Sequence, residues 1–112
     1  MNSELEEIDG ITVAILYGEL DGRTAPIVQD RLLTLPAAGG KALLEMSGVS
    51  YISSAGLRAL LMLYRQMATN DGRVALAGLS ENIRDVMTVT GFLEFFDDYA
   101  TLEDGVAALR AD

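Results

Sequence analysis

The chain contains no cysteine and no histidine among its 112 residues. Without a thiol or an imidazole it cannot form a Ser-His-Asp triad, a cysteine nucleophile or a zinc site made of the usual nitrogen and sulfur ligands. Its carboxylates do not have the spacing of a calcium-binding loop, and its glycines do not form a nucleotide-binding phosphate loop. Carboxylate chemistry with Mg²⁺ or Ca²⁺ stays open on composition alone, but no motif for it is present, and we expect no metal site and no cofactor. The lack of cysteine also fits a reducing compartment.

Basic residues and long apolar runs are scarce as well. Eight Lys and Arg residues stand against 17 Asp and Glu residues, giving a formal net charge of −9. Such a surface repels nucleic-acid phosphates and offers no basic patch to anionic lipid. No segment approaches the roughly 18 apolar residues of a membrane span, and the N-terminus is acidic where a secretory signal is basic and then apolar. We expect a cytoplasmic protein that binds neither nucleic acid nor membranes.

The remaining composition is typical of one folded domain. Half of the residues are apolar and 22% are charged, which is a globular rather than a disordered composition. A chain of this length can bury about 60 to 70% of the surface that it exposes when unfolded. Because no linker, repeat or low-complexity segment interrupts it, we predict a single domain over residues 1–112.

Strand and helix patterns alternate along this domain. Two strands form a hairpin through Asp9-Gly10, a two-residue turn signal. Strands are predicted at residues 5–8, 11–17, 41–46 with a second apolar pair at 51–52, 73–78 and 92–96. Helices are predicted to begin near Thr24, Ala55, Ser80 and Thr101, the first ending at Pro36 and the third at Gly91.

The predicted order ββαβαβαβα indicates an α/β fold. It requires a mostly parallel mixed sheet, with an N-terminal antiparallel hairpin and about four helices. Binding sites in such sheets gather at the carboxyl ends of the parallel strands. We therefore expect the loops after these strands to lie side by side, which would make neighbours of Asp21, Ser53, Ser54 and Gly78.

Ser54 stands at the end of a strand and in the first turn of the following helix. Ser53 or Ser54 can cap that helix by accepting hydrogen bonds from its free N–H groups, a role worth about 1 kcal/mol. On local features alone, capping is the simpler interpretation. A phosphorylated serine would gain from the same place, because phosphate adds about −1.5 to −2 charges beside the positive end of the helix dipole. Gly56, which has no side chain, would let another protein's active site approach the hydroxyl.

Three further residues are each open to two interpretations. Arg58, four residues after Ser54 on the polar face of the helix, could pair with a phosphate or an acidic partner, or simply be solvated. Met62 is an apolar residue on that polar face, and is either an isolated exposed side chain or part of an adaptable binding surface. Asp21 is either a turn residue that starts the first helix or a carboxylate beside the Ser54 hydroxyl.

Three segments of the chain resemble a known family. Residues 18–21 (GELD), 47–57 (SGVSYISSAGL) and 90–92 (TGF) resemble the STAS domain of bacterial anti-sigma factor antagonists. The resemblance covers essentially the whole chain, and the central segment is its specific part. Matching the motif places the phosphoacceptor serine at Ser54 and the acidic loop residue at Asp21. The commonest family pattern has Asp before the acceptor and Ser or Thr after it, where this chain has Ser53 and Ala55.

The resemblance implies a function in partner switching. An unphosphorylated antagonist of this family binds an anti-sigma factor, which is also a serine kinase of the histidine-kinase-like ATPase type, and so frees the sigma factor. Phosphorylation of the acceptor serine ends that binding, and a PP2C-type phosphatase restores it. We predict phosphorylation at Ser54, and partner contacts at Asp21, Ser53, Gly56, Arg58 and Met62.

Two other functions remain open on the sequence. The chain could be a STAS module that is not phosphorylated and that binds a small ligand, a lipid-transport complex or a signalling assembly. It could also be an enzyme with Ser54 as the nucleophile, whose base would be Lys41 or a carboxylate. Lys41 begins its strand and so lies at the opposite sheet edge from Ser54. We therefore predict that the chain is not an enzyme.

Overall fold

A five-stranded mixed sheet forms the centre of the molecule. The computed structural model describes residues 2–32 and 40–111. The strands lie side by side in chain order, with β1 antiparallel to β2 and the other neighbours parallel. This confirms the predicted α/β fold with its antiparallel hairpin. The strands are β1 (Asn2–Ile8), β2 (Ile11–Leu20), β3 (Lys41–Ile52), β4 (Arg73–Ala77) and β5 (Asp97–Tyr99).

Four α-helices among the described residues cover the two faces of the sheet. They are α1 (Ala25–Leu32), α2 (Ser54–Thr69), α3 (Glu81–Val89) and α4 (Leu102–Arg110). The larger core cluster joins α1, α2 and α3 to one face, and the smaller cluster joins α4 to the other. Neighbouring strand residues divide between the two because side chains alternate along a strand. Ala14 belongs to the larger core and Val13 to the smaller one. The predicted end of the first helix at Pro36 lies outside the described residues.

Local sequence signals fix several element ends as predicted. The Ser80 hydroxyl accepts a hydrogen bond from the backbone N–H of Ile83 at 3.3 Å, and so caps α3. Thr101 caps α4 in the same way through the N–H of Asp104 at 3.1 Å. Gly91 follows α3 with a φ of 80°, the left-handed conformation that glycine adopts without strain. These ends depend on residues within one turn of each other, so the sequence alone specifies them.

The predicted strand at residues 92–96 is wrong. Phe92–Phe95 forms a short 3-10 helix, and the last strand, β5, begins only after Phe96. The Tyr64 ring on α2 lies 5.6 Å from the Phe95 ring and 5.6 Å from the Phe96 ring, measured between centroids. The aromatic residues of this segment thus pack against a helix rather than pair with a strand. A short apolar run does not distinguish these outcomes by its periodicity.

Candidate functional site

The carboxyl ends of β2 and β3 extend beyond the rest of the sheet. Pairing between β3 and β4 ends at Glu45 with Ala77, whereas pairing between β2 and β3 continues to Leu20 with Ile52. The Ser53 N–H then donates to the carbonyl of Leu20 at 2.9 Å. The start of α2 is therefore fastened directly to the end of β2. This places the loop after β2 beside the loop after β3, as the parallel sheet predicted.

Gly78 does not lie at this edge, contrary to the prediction. It follows β4, whose pairing with β3 stops seven residues before Ile52, or roughly 20 Å of strand. A side chain at Gly78 would meet the Glu45 carboxylate, 2.6 Å from an ideal Cβ position. The error arose because β3 is more than twice the length of β4, which has 5 residues against 12. Parallel strands share an edge only where their ends are level.

The two adjacent serines have different environments. Ser53 is the N-cap of α2, with extended backbone, and its hydroxyl accepts from the Gly56 N–H at 3.3 Å. Ser54 is the first helical residue and is exposed. Its hydroxyl makes no hydrogen bond to any part of the chain that the structure describes. Capping therefore belongs to Ser53, and the Ser54 hydroxyl faces solvent at the start of the helix.

The Asp21 carboxylate is held within its own loop. One oxygen accepts from the backbone N–H groups of Arg23 at 2.9 Å and Thr24 at 3.2 Å, and the other lies 3.3 Å from the Arg23 guanidinium. The N–H of Arg23, followed by the N–H of Thr24 and the guanidinium, lowers the pKa of Asp21 against the opposing effect of desolvation. Asp21 thus organises the turn before α1. The Ser54 hydroxyl donates no hydrogen bond to this carboxylate.

Gly56 is buried against the ends of this chain's own β2 and β3. A Cβ atom there would lie 2.6 Å from the carbonyl oxygen of Leu20 and 3.0 Å from the Ile52 side chain. The space where a side chain would stand is therefore filled by this chain's own β2 and β3. The structure gives this glycine a packing role, and an approach by a partner at Gly56 stays a prediction.

Arg58, Met62 and Arg65 form an exposed stripe along α2, which we call the α2 stripe. All three are exposed, Met62 at 58% of its surface. Neither arginine makes an ion pair with the described residues, in contrast to four other arginines of the chain. Those four pair with carboxylates, as Arg23–Asp21, Arg73–Asp97, Arg84–Asp98 and Arg110–Asp9. The predicted partner residues Arg58 and Met62 are thus neighbours on one accessible surface.

An apolar groove between α1 and α2 borders this stripe, and the sequence patterns do not predict it. The groove has a volume of about 260 Å³. The Gln29 side-chain amide donates to the Met62 sulfur across it at 3.2 Å. Met62, which the sequence marks as an apolar residue on the polar face of α2, is one of the residues that line the groove. The lining residues are Pro26, Val28, Gln29, Asp30, Ala59, Leu60, Met62, Leu63 and Gln66.

Two features are absent from the part of the chain that the structure describes. Within residues 2–32 and 40–111 no cluster of three or more acidic side chains is arranged to hold a metal ion. No helix in these ranges is both long enough and apolar enough to span a membrane. The exposed Ser54 hydroxyl, the α2 stripe and the groove beside it together make up the candidate site.

Comparison with known proteins identifies the family. The model of the STAS domain family matches residues 2–105. The chain is 30% identical over 111 residues to the anti-sigma factor antagonist BtrV of Bordetella bronchiseptica, covering 98% of this chain and 96% of BtrV. It is 26% identical over 106 residues to the anti-sigma-B factor antagonist of Bacillus subtilis, covering 95% of this chain and 97% of that protein.

The fold has a counterpart among solved structures. The Bacillus cell fate determinant SpoIIAA in its phosphorylated form superposes with a TM-score of 0.73 at 23% identity, covering 97% of this chain and 100% of that one. This likeness concerns the fold, and it agrees with the match along the sequence. The chain belongs to the STAS domain family.

Proposed function

We propose that the chain is an anti-sigma factor antagonist controlled by phosphorylation of Ser54. In its unmodified form it binds, in the cytoplasm, an anti-sigma factor that is also a serine kinase of the histidine-kinase-like ATPase fold. That binding frees a sigma factor, phosphorylation ends it, and a PP2C-type phosphatase restores it. The names of its relatives and the phosphorylated form of SpoIIAA support this proposal.

The observation that carries the proposal is the exposed Ser54 hydroxyl, which makes no hydrogen bond within the described residues. Because Ser53 already caps α2, modification of Ser54 breaks no capping bond. A phosphate on Ser54 would lie near the positive end of the helix dipole, where a negative charge is tolerated. The fold can therefore carry the modification without rearrangement.

The same phosphate would change what a partner must desolvate. It adds about −1.5 to −2 charges to a chain whose net charge is already −9. Burying such a charge in an interface without a matching cation costs several kcal/mol, and each 1.4 kcal/mol is about tenfold in affinity. A rigid domain with one altered contact surface is thus sufficient for switching.

Phosphate transfer to the purified chain tests the acceptor. We expect incubation with its cognate anti-sigma kinase and ATP to add one phosphate, measured by intact-protein mass spectrometry. Ser54→Ala should abolish the addition. Ser53→Ala is the matched control, and should still accept phosphate although it loses a cap worth about 1 kcal/mol of stability. Labelling that survives Ser54→Ala would reject the assignment.

A second candidate function is favoured by the groove between α1 and α2. A STAS module that is not phosphorylated could use this apolar groove to bind a small ligand, a lipid-transport complex or a signalling assembly. The two candidates differ in one consequence: function that depends on the groove alone is unchanged by Ser54→Asp. An enzymatic role for Ser54 has no such support. Lys41 lies at the far end of β3 and donates to the Leu109 carbonyl at 2.5 Å.

A further inference from the structure

The arginines of the α2 stripe differ from most others in the molecule. Four arginines outside it are matched by carboxylates at 2.5 to 3.3 Å, whereas Arg58 and Arg65 make no ion pair with the described residues. On a chain with 17 acidic and 8 basic residues, two unmatched guanidinium groups on one exposed surface are conspicuous. They are available to an anion that the unmodified chain does not itself supply.

Arg58 is placed to reach a group attached to Ser54. Both residues belong to α2, four positions apart, so their Cβ atoms are about 5 to 6 Å from each other. Side chains in a helix lean toward its N-terminus, which directs the Arg58 guanidinium toward Ser54. An anion four residues before a cation is also the more favourable order for such a pair.

Two other arginines are less well placed. Arg65 lies eleven residues after Ser54, or about 16 Å along the helix axis. Arg23 lies on the neighbouring loop, but its backbone N–H and its guanidinium are both held by the Asp21 carboxylate. A phosphate would have to compete with that carboxylate for Arg23, whereas Arg58 has no competing anion among the described residues.

We propose that Arg58 captures the phosphate of Ser54 in a charge-assisted, bidentate pair. This inference rests on the proposed function, since it concerns the modified form. A planar guanidinium matches two phosphate oxygens at once. Phosphorylation then has two effects on the α2 stripe, because it adds a dianion and also removes Arg58 from the cations open to an acidic partner. Of the two arginines in the α2 stripe, only Arg65 then remains available to such a partner.

The test uses the full chain with phosphoserine installed at position 54 during translation, so that no kinase is required. The second ionisation of the phosphate, with a pKa of about 6, is followed by phosphorus NMR from pH 4 to 8. A cation beside the phosphate favours the dianion, so Arg58→Gln should raise this pKa by roughly half a unit. Arg58→Lys keeps a cation at this position, so it should raise the phosphate pKa by less than Arg58→Gln does. Arg65→Gln, the matched control, should leave the phosphate pKa unchanged.

Two results would overturn the inference. One is an identical titration for the Arg58→Gln and parent phosphoproteins, and the other is a shift produced by Arg23→Gln instead. Arg58 is exposed, so its replacement should leave the fold intact, and circular dichroism of each variant checks this. Because the phosphoserine is incorporated at position 54 during translation, these results do not depend on whether cells phosphorylate Ser54. Failure of the proposed function would appear separately, in the kinase experiment.

Discussion

At the scale of single residues, the start of α2 depends on a glycine with no room for a side chain. An ideal Cβ at Gly56 would lie 2.6 Å from the Leu20 carbonyl oxygen, which is backbone and cannot rotate away. We expect Gly56→Ala to lower the free energy of unfolding by about 1 to 3 kcal/mol, the usual cost of overpacking, as measured by urea denaturation.

The matched control for this prediction is Gly22→Ala on the adjoining loop. There the added Cβ would lie 3.9 Å from the Ala55 Cβ, an ordinary contact distance. We expect the stability of this variant to stay within about 0.5 kcal/mol of the parent, as for most surface changes. Equal stability of the two variants would show that α2 can shift away from β2.

Single residues also show which features the sequence could predict. Ser80, Thr101 and Gly91 act on groups within one turn of themselves, and each has the predicted role. Within α2, in contrast, Leu63 is buried and Ala68 is exposed. The helical spacing of the apolar residues predicts the opposite for Ala68, because it places one buried stripe on Leu57, Leu60, Leu61, Tyr64, Met67 and Ala68. Which side of a helix faces the core depends on the neighbouring elements, and a pattern of residues along one helix does not contain that information.

At the scale of elements, the start of α1 depends on the ionised form of Asp21. Its pKa is lowered in the folded chain by the N–H groups of Arg23 and Thr24 and by the Arg23 guanidinium. A carboxyl with a depressed pKa stabilises the fold above its unfolded pKa of about 3.9, and this contribution is lost as the pH falls through the folded value. We therefore expect Asp21→Asn to be less stable than the parent at pH 7.

The difference between Asp21→Asn and the parent should shrink as the pH falls below about 4, since the parent's carboxyl also becomes neutral there. Urea denaturation at several pH values from 7 to 2.5 measures it. Asparagine keeps an oxygen that can accept from the same N–H groups, so the comparison isolates the charge. A difference that stays constant over this range would mean that the charge of Asp21 does not stabilise the loop.

The order of strands and helices predicts one part of the candidate site but not the rest. The alternation of strands and helices was sufficient to bring the loops after β2 and β3 together. It was not sufficient to exclude Gly78, because strand length is set by pairing along the whole ladder. The groove between α1 and α2 could not be predicted for a similar reason. It is lined by residues of both helices, and the sequence does not give the distance at which the two helices pack.

At the scale of the whole molecule, regulation requires a framework that does not respond to a new surface charge. Helices pack on both faces of the sheet, and the two core clusters are distinct. Ser54 contributes to neither cluster and is exposed, so a charge at this position remains in water. We expect Ser54→Asp to keep the secondary structure of the parent by circular dichroism, and a thermal unfolding midpoint within a few degrees of it.

Binding to the proposed anti-sigma kinase partner should weaken in this variant even though the fold is unchanged. An added carboxylate must be desolvated in the interface, so we expect Ser54→Asp to bind about tenfold or more weakly, which corresponds to at least 1.4 kcal/mol. Ser54→Asn has nearly the same shape without the charge, and should lose much less affinity. Isothermal titration calorimetry compares the two variants directly. If both bind equally weakly, size rather than charge blocks the partner, and the electrostatic account of the switch is wrong.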